Sequence, residues 1–159
     1  MDWIVHLLVP WIGAKILQVR CTEMADRQIA LVMLGAVLPD INAIGYLLQW
    51  TGINYGGFLL PFHTPIGSLL VAAIISLMFT KRKQALSILG IGIATHYALD
   101  SLLLHVGGGM VLLFPFNWIW DYQLGLFSSN NWVPFIVTAM VAVMLLATLQ
   151  KKRSRSHHT

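Results

Sequence analysis

Apolar residues fill five long stretches of the chain, and most basic residues lie between or after them. The stretches cover residues 3–19, 28–50, 64–83, 84–106 and 132–150. A helix needs about 20 residues to cross an apolar layer of about 30 Å. The pattern therefore predicts an all-α integral membrane protein with about five transmembrane helices. Thr64 followed by Pro65 is typical of a helix start, whereas Pro39–Asp40 interrupts the second stretch.

The segment between the fourth and fifth predicted helices has a different pattern. Residues 107–120 are apolar, but glycine and proline break them and tryptophans end them. Aromatic residues concentrate at headgroup depth, so we predict a re-entrant or interfacial segment near residues 109–120. A sixth short span is the alternative. It is disfavoured because it would place the basic end of the chain on the opposite side of the membrane from Lys81–Lys83.

The basic residues predict the orientation of the chain. They cluster at residues 20–27, 81–83 and 151–155. Positive charge collects at cytoplasmic helix ends, and all three clusters face the cytoplasm if the N-terminus is outside. We expect one helical domain over residues 1–150 in the inner or plasma membrane, then a basic cytoplasmic tail over 151–159. No basic segment precedes the first apolar run, so we interpret that run as a mature helix rather than a cleaved signal peptide.

The composition supports a membrane protein and limits its partners. Of 159 residues, 57% are hydrophobic and 10% are charged, which leaves too little polar surface for a soluble domain. The net charge of +4 comes from residues that form no basic face interleaved with aromatics. We therefore expect membrane lipids as partners, with anionic headgroups at the cytoplasmic face, and no nucleic acid. The single cysteine, Cys21, excludes an intrachain disulfide and a thiolate metal cluster.

Ionisable residues in or beside apolar stretches are the functional candidates, because each is costly to place in lipid. They are His6, Asp40, His63, His96, Asp100, His105 and Asp121. We interpret His105 as interfacial and Asp121 as exposed to water at the outer face. His157 and His158 belong to the basic tail, which we expect to be disordered.

Three of the candidates are predicted to lie at one depth. His6, Asp40 and His96 are 14, 13 and 13 positions from the basic residues at the cytoplasmic ends of their helices. At a rise of 1.5 Å per residue, each lies about 20 Å above those ends. His63 precedes the third helix at its outer end, and Asp100 lies one turn beyond His96. All five side chains are therefore expected in the outer half of the bilayer.

The residue types at this depth favour a metal site. His96 and Asp100 are spaced i, i+4, which places both on one helix face as two ligands, or as one ligand and the group that orients it. Imidazole nitrogens and carboxylate oxygens suit a divalent metal, with zinc favoured and manganese or iron as alternatives. A single intramembrane histidine also serves in helix packing, and this alternative is strongest for His6.

Five short motifs follow one another along the chain in an order that resembles a known family. They are His6 in the first apolar segment, Gly35-Ala36-Val37-Leu38-Pro39-Asp40-Ile41-Asn42, His63 followed by Ser68-Leu69, His96-Tyr97-Ala98-Leu99-Asp100, and Leu113-Phe114-Pro115-Phe116. Together they resemble the YdjM-like membrane-bound metal-dependent hydrolases over roughly residues 1–120. This resemblance implies a metal-dependent hydrolase. The chain departs from the family in having Asn42 where a second Asp is typical, and Gly67 where a second His is typical.

Two functions fit these residues. The first is a metal-dependent hydrolase acting on a phospholipid or a lipid-linked phosphate at the outer leaflet. His6, Asp40, His63, His96 and Asp100 would hold one or two divalent ions, and Asp40 or Asp100 would also act as a general base. The alternative is a non-catalytic membrane protein in which the same residues form a structural metal site or polar cluster. A transport path is disfavoured because the inner half of the predicted bundle is apolar.

Overall fold

The structure is a computed structural model that describes residues 2–20, 24–53, 59–104, 111–118, 124–128 and 131–156. This part of the chain is mostly helical, as predicted. Its helices are α1 (Asp2–Arg20), α2 (Asp26–Val37), α3 (Ala43–Trp50), α4 (Pro65–Ser76), α5 (Arg82–Leu102) and α6 (Val133–Ser156). Short 3-10 helices cover Leu38–Asn42 and Leu60–His63. Two short strands, β1 (Leu103–Leu104) and β2 (Phe127–Ser128), pair in parallel.

The prediction of about five full transmembrane helices is not supported. Within the described residues, Arg82–Leu102 and Val133–Lys151 are long and apolar enough to cross a membrane, while Ile4–Val19 and Pro65–Ser76 are shorter apolar helices. The second stretch divides into α2, a 3-10 helix and α3, because Pro39 cannot donate the backbone hydrogen bond of a continuing helix. The third stretch ends early, since residues 77–81 form the turn that leads into α5.

The segment predicted to be re-entrant or interfacial is described only in part. Residues 111–118 contain turns and no helix, which argues against a sixth span through them, and Val111 is buried. The remainder of 107–120 lies outside the described residues, as do Cys21, His105, Asp121, His157 and His158. Residues 151–156 were expected to belong to a disordered tail, but they continue α6 as helix.

Helices α2 and α5 pack with their backbones in direct contact. A Cβ atom on Gly92 would lie 2.1 Å from the carbonyl oxygen of Val32, and one on Gly35 would lie 2.2 Å from the carbonyl oxygen of Leu89. Small residues permit this approach where apolar side chains gain little by leaving lipid. Ala72 of α4 joins Leu89 in the buried core beside the contact. The contact therefore holds the C-terminal end of α2 against the middle of α5.

Helix α6 is apolar and largely exposed. Among its described side chains, at positions 133–151, only Ala142 is buried, and large residues such as Val143 and Met144 are more than 60% exposed. A helix that is apolar around its whole circumference is stable when lipid, rather than water, surrounds it. Its principal contacts within the described chain are with α1. This arrangement leaves space between α1, α5 and α6 near the end of α5.

We predict that Gly92→Ala destabilises the protein and Gly90→Ala does not. The added methyl group at position 92 meets the backbone of α2, so the helices must separate, at a typical overpacking cost of about 1–3 kcal/mol. A Cβ atom at Gly90 meets nothing within 4 Å, and alanine favours a helix over glycine by up to about 1 kcal/mol. Thermal unfolding in detergent measures the difference. Equal melting temperatures for the two variants would contradict the close helix contact.

Candidate metal centre

Five ionisable side chains converge from four parts of the chain. His96 and Asp100 lie one turn apart on α5, and His6 reaches them from α1. Asp40 comes from the 3-10 helix that follows α2, and His63 ends the second 3-10 helix. These are the five residues that the sequence analysis predicted as ligands. The structure brings all five together.

The local sequence explains why α2 ends just before Asp40 and why α4 begins just after His63. Pro39 stops α2 and turns the chain so that Asp40 faces α5. Thr64 caps α4, because its side-chain oxygen accepts a hydrogen bond from the Gly67 backbone N–H at 3.1 Å. Pro65 follows at the first helical position, where its missing N–H costs nothing. His63 is therefore held immediately before a fixed helix start.

Asp100 lies at the centre of the cluster. Its Oδ1 is 3.0 Å from His6 Nε2, and its Oδ2 is 3.0 Å from His96 Nε2 and 3.5 Å from His63 Nε2. The Asp100 side chain is only 3% exposed, and His6 and His96 are similarly buried. One carboxylate thus faces three imidazole rings in a place that water scarcely reaches. A buried carboxylate is stable there only if positive charge or hydrogen-bond donors compensate it.

Asp40 forms the more open side of the cluster. Its Oδ1 lies 3.8 Å from His96 Nε2 and 3.8 Å from His63 Nδ1. The side chains of Asp40 and His63 are 15% and 22% exposed. These two side chains are therefore the most accessible part of the cluster.

Backbone carbonyl groups fix two of the imidazole rings. His96 Nδ1 lies 2.8 Å from the carbonyl oxygen of Ala36, and His63 Nδ1 lies 3.0 Å from that of Pro39. A carbonyl oxygen only accepts, so in both rings Nδ1 donates the hydrogen bond, and a neutral ring then carries its lone pair on Nε2. Both Nε2 atoms face Asp100. Metal-binding histidines are oriented in this way, with the second ring nitrogen donating to a carbonyl.

Two buried polar atoms of the cluster are of the kind that a cation would satisfy. His96 Nε2 lies 3.0 Å from Asp100 Oδ2. Within the described part of the chain, His96 Nε2 and His6 Nδ1 are buried without a hydrogen-bond partner. A lone pair and a carboxylate oxygen at this distance repel one another unless a proton or a metal ion lies between them. Buried polar atoms that lack partners commonly mark an ion site.

The spacing of the donor atoms also fits a metal ion. Tetrahedral zinc with bonds of 2.0–2.1 Å has donor atoms about 3.3 Å apart. The histidine–carboxylate separations here are 3.0–3.8 Å. Two groups of three meet the requirements for an ion site, one formed by His6, His96 and Asp100 and the other by Asp40, His63 and His96. His96 belongs to both groups, and its Nδ1 is already bonded to Ala36.

The charge of Asp100 affects the protonation of His63. Burial lowers the pKa of the His63 imidazole, but hydrogen bonds to Asp100 and to the Pro39 carbonyl outweigh burial and raise the pKa above its ordinary value. A divalent ion at this ring must therefore displace a proton under mildly acid conditions. We expect metal affinity to fall as the pH falls, in keeping with the general linkage between metal binding and ligand deprotonation.

The sequence analysis did not identify the groups that support the ligands. Tyr97 lies against the rings of His96 and His63, with ring centroids 5.4 and 6.2 Å away. Its hydroxyl group is 3.0 Å from that of the fully buried Ser68, whose own O–H donates to the Thr64 carbonyl. Ser68 and Tyr97 both lie within the short motifs that resemble the family, and those motifs could have indicated that the two residues support the site. The backbone carbonyl groups of Ala36 and Pro39 could not be identified from the sequence, because the side chains at these positions do not indicate what their carbonyl groups bind.

The departure at Gly67 has a steric explanation. A Cβ atom at this position would lie 2.0 Å from the carbonyl oxygen of Pro61, so no side chain fits without a shift of the backbone. The segment that contains Pro61 therefore lies so close to Gly67 that a histidine at position 67 would not fit. The side chain of Asn42, the other departure, lies outside the described part of the structure.

A family model matches nearly the whole chain. The family model described as "YdjM inner membrane protein" matches residues 1–158. No curated protein and no solved structure matches the chain.

We predict that the purified protein carries a divalent transition metal and that Asp100→Asn removes it. Asn has nearly the shape of Asp, but it lacks the negative charge that faces three imidazole rings. The matched control is Asp26→Asn, which changes an exposed carboxylate at the start of α2. Elemental analysis in detergent measures the metal. Wild-type protein free of metal, or equal metal content in both variants, would contradict the assignment.

Proposed function

Because the chain belongs to the YdjM inner membrane protein family, we propose that it is a membrane-bound metal-dependent hydrolase of a phospholipid or a lipid-linked phosphate. The observation that carries this proposal is the cluster itself, in which three imidazoles and two carboxylates converge with donor separations suited to a divalent ion. Zinc is the favoured ion by ligand type.

The two carboxylates have different surroundings, and we assign them different roles. Asp100 contacts three histidines and is almost fully buried, so it acts as a ligand and balances the charge of the site. Asp40 is farther from its neighbours and more exposed. It is therefore the better placed of the two to accept a proton from an attacking water molecule.

A divalent ion in such a site polarises a phosphoryl or acyl oxygen and makes water a stronger nucleophile near neutral pH. The residues of the chain hold the ligands in place and provide access for the substrate. The Ala36 and Pro39 carbonyls hold His96 and His63 in fixed orientations, which removes the cost of ordering them during the reaction. The exposed edges of Asp40 and His63 form the entrance for the substrate.

The position of the site in the membrane follows from the distribution of charge. Basic residues cluster at positions 20–27, 81–83 and 151–155, which we assign to the cytoplasmic side. Asp26, next to the first cluster, pairs with Lys15 at 2.9 Å and joins the adjacent ends of α1 and α2. His6 and His96 lie toward the opposite ends of their helices. We therefore place the site in the outer leaflet and the C-terminal residues in the cytoplasm.

A structural metal site is the second candidate, and burial is the observation that favours it. His6, His96 and Asp100 are 0–3% exposed, as ligands of a purely structural ion usually are. Asp40 and His63 distinguish the two functions. A structural ion needs no accessible carboxylate, whereas a hydrolase needs both an approach for substrate and a base.

We predict that Asp40→Asn keeps most of the bound metal and loses hydrolysis. The other four ligands remain, and removal of a general base typically slows a reaction by about 10²–10⁴-fold. The substrates are liposomes of phosphatidylethanolamine and phosphatidylglycerol and, separately, liposomes that contain an isoprenyl phosphate. Phosphorus NMR follows product release, and thermal unfolding reports stability.

Asp26→Asn is the control for this test and should retain the wild-type rate. If metal-loaded wild-type protein releases no product from any of the liposomes while Asp100→Asn lowers the melting temperature, the site is structural and the hydrolase proposal is wrong.

A further inference from the structure

An apolar cavity adjoins the candidate metal centre. It lies between α1, α5 and α6 and has a volume of about 250 Å³. His6 lines it, and so does Leu99, the residue before Asp100. The histidine thus belongs both to the ion site and to the cavity wall. A molecule that occupies the cavity therefore lies against His6, one of the five candidate ligands.

The walls of the cavity are almost entirely apolar. Val5 and Val9 of α1, together with Val137 of α6, are typical of them. Apart from His6, which belongs to the ion site, the polar residues in the wall are Asn131 and Thr138, and each forms a hydrogen bond within the chain. The Thr138 hydroxyl donates to the Pro134 carbonyl at 2.8 Å, and Asn131 Oδ1 accepts from the Val133 backbone N–H at 2.9 Å. Water in such a space finds few partners, so a nonpolar occupant is favoured.

The cavity has an opening and enough room for a hydrocarbon segment. Two lining residues of α6, Val133 and Val137, are each 52% exposed, so the cavity reaches the surface along this helix. An apolar cavity of about 150 Å³ holds a benzene molecule. The volume here is larger, and α6 presents an apolar surface that only lipid would surround. A lipid chain is therefore the occupant that can reach the opening directly.

We propose that this cavity binds one hydrocarbon chain of the lipid substrate and thereby holds the scissile headgroup bond at the candidate metal centre, beside His6. The inference rests on the proposed function. Its new content is the location of the chain-binding subsite and the class of substrate, a lipid with a phosphate-bearing headgroup on an apolar chain. Acyl and isoprenoid chains are both hydrocarbons, so the apolar walls suit either chain.

The energetic role of the cavity is orientation rather than affinity. A chain that moves from the bilayer into an apolar cavity exchanges one hydrocarbon environment for another and gains little free energy. Fixing the chain nevertheless restricts the headgroup to one position relative to the metal ligands, and such positioning accelerates a reaction. A blocked cavity should therefore lower kcat more than it raises KM.

The test is photo-cross-linking of wild-type protein in lipid nanodiscs. One probe is phosphatidylglycerol with a diazirine on one acyl chain, and the other is an isoprenyl phosphate with a benzophenone on its chain. Mass spectrometry maps the labelled residues. We expect labels on cavity residues of both α1 and α6, such as Val9 and Val137, above the labelling of the exposed outer face of α6. The probe that labels them identifies the source of the chain.

Two pairs of variants give matched controls. Val9→Phe fills the cavity from α1, and Val19→Phe makes the same change at an exposed position of that helix. Val137→Phe and Val143→Phe form the corresponding pair on α6, where both positions tolerate a larger side chain because both are exposed. The cavity-filling variants should lose the specific label and lower kcat, and the controls should match wild type. All four should retain bound metal.

The outcomes separate this inference from the proposed function. Specific labelling without hydrolysis by metal-loaded wild-type protein would leave the cavity as a lipid site and refute the hydrolase. Hydrolysis combined with uniform labelling, or with an unchanged label in both Val9→Phe and Val137→Phe, would overturn the cavity proposal alone.

Discussion

The buried carboxylate of Asp100 is the constraint on which the rest of the site depends. It lies 3.0 Å from one nitrogen of His6 and 3.0 Å from one of His96, in a place almost closed to water. An uncompensated carboxylate at such a place is strongly unfavourable. Hydrogen bonds to backbone carbonyl groups prevent the rings of His63 and His96 from rearranging around it. A divalent ion satisfies the carboxylate and the imidazole lone pairs together, and this is why we interpret the cluster as a metal centre.

The helix contacts provide the geometry that this centre requires. The carbonyl oxygen of Ala36 reaches His96 only because Gly35 and Gly92 allow α2 and α5 to approach backbone to backbone. The break after α2 then carries Asp40 to the same place. The fold thus uses small residues and a proline to position the candidate metal centre, and the exposed apolar helix α6 lines the cavity beside it.

The sequence indicated which ionisable residues the structure brings together, but it did not give the number of transmembrane helices. Ionisable residues in an apolar chain are few and costly, so His6, Asp40, His63, His96 and Asp100 could be singled out from residue type and helical spacing. Hydropathy alone could not show that Pro39 divides one apolar stretch into three short elements, or that the third stretch ends at Ser76. The resemblance to the YdjM-like family, first indicated by short motifs, is confirmed by the family match over residues 1–158.

The carbonyl groups that orient His63 and His96 could not be predicted, because a backbone carbonyl has the same chemistry at every position. Gly67 and the cavity beside His6 depend on packing between distant segments, for which the local pattern gives no signal. What the sequence predicts is therefore the donor set. What only the structure reveals is how the donors are held and which space adjoins them.

X-ray absorption at the edge of the metal that the purified protein carries tests the central claim most directly. The account predicts a first shell of nitrogen and oxygen only, with distances near 2.0–2.1 Å for zinc, and the outer-shell scattering typical of more than one imidazole. A spectrum dominated by water ligands, or one without imidazole scattering, would contradict it.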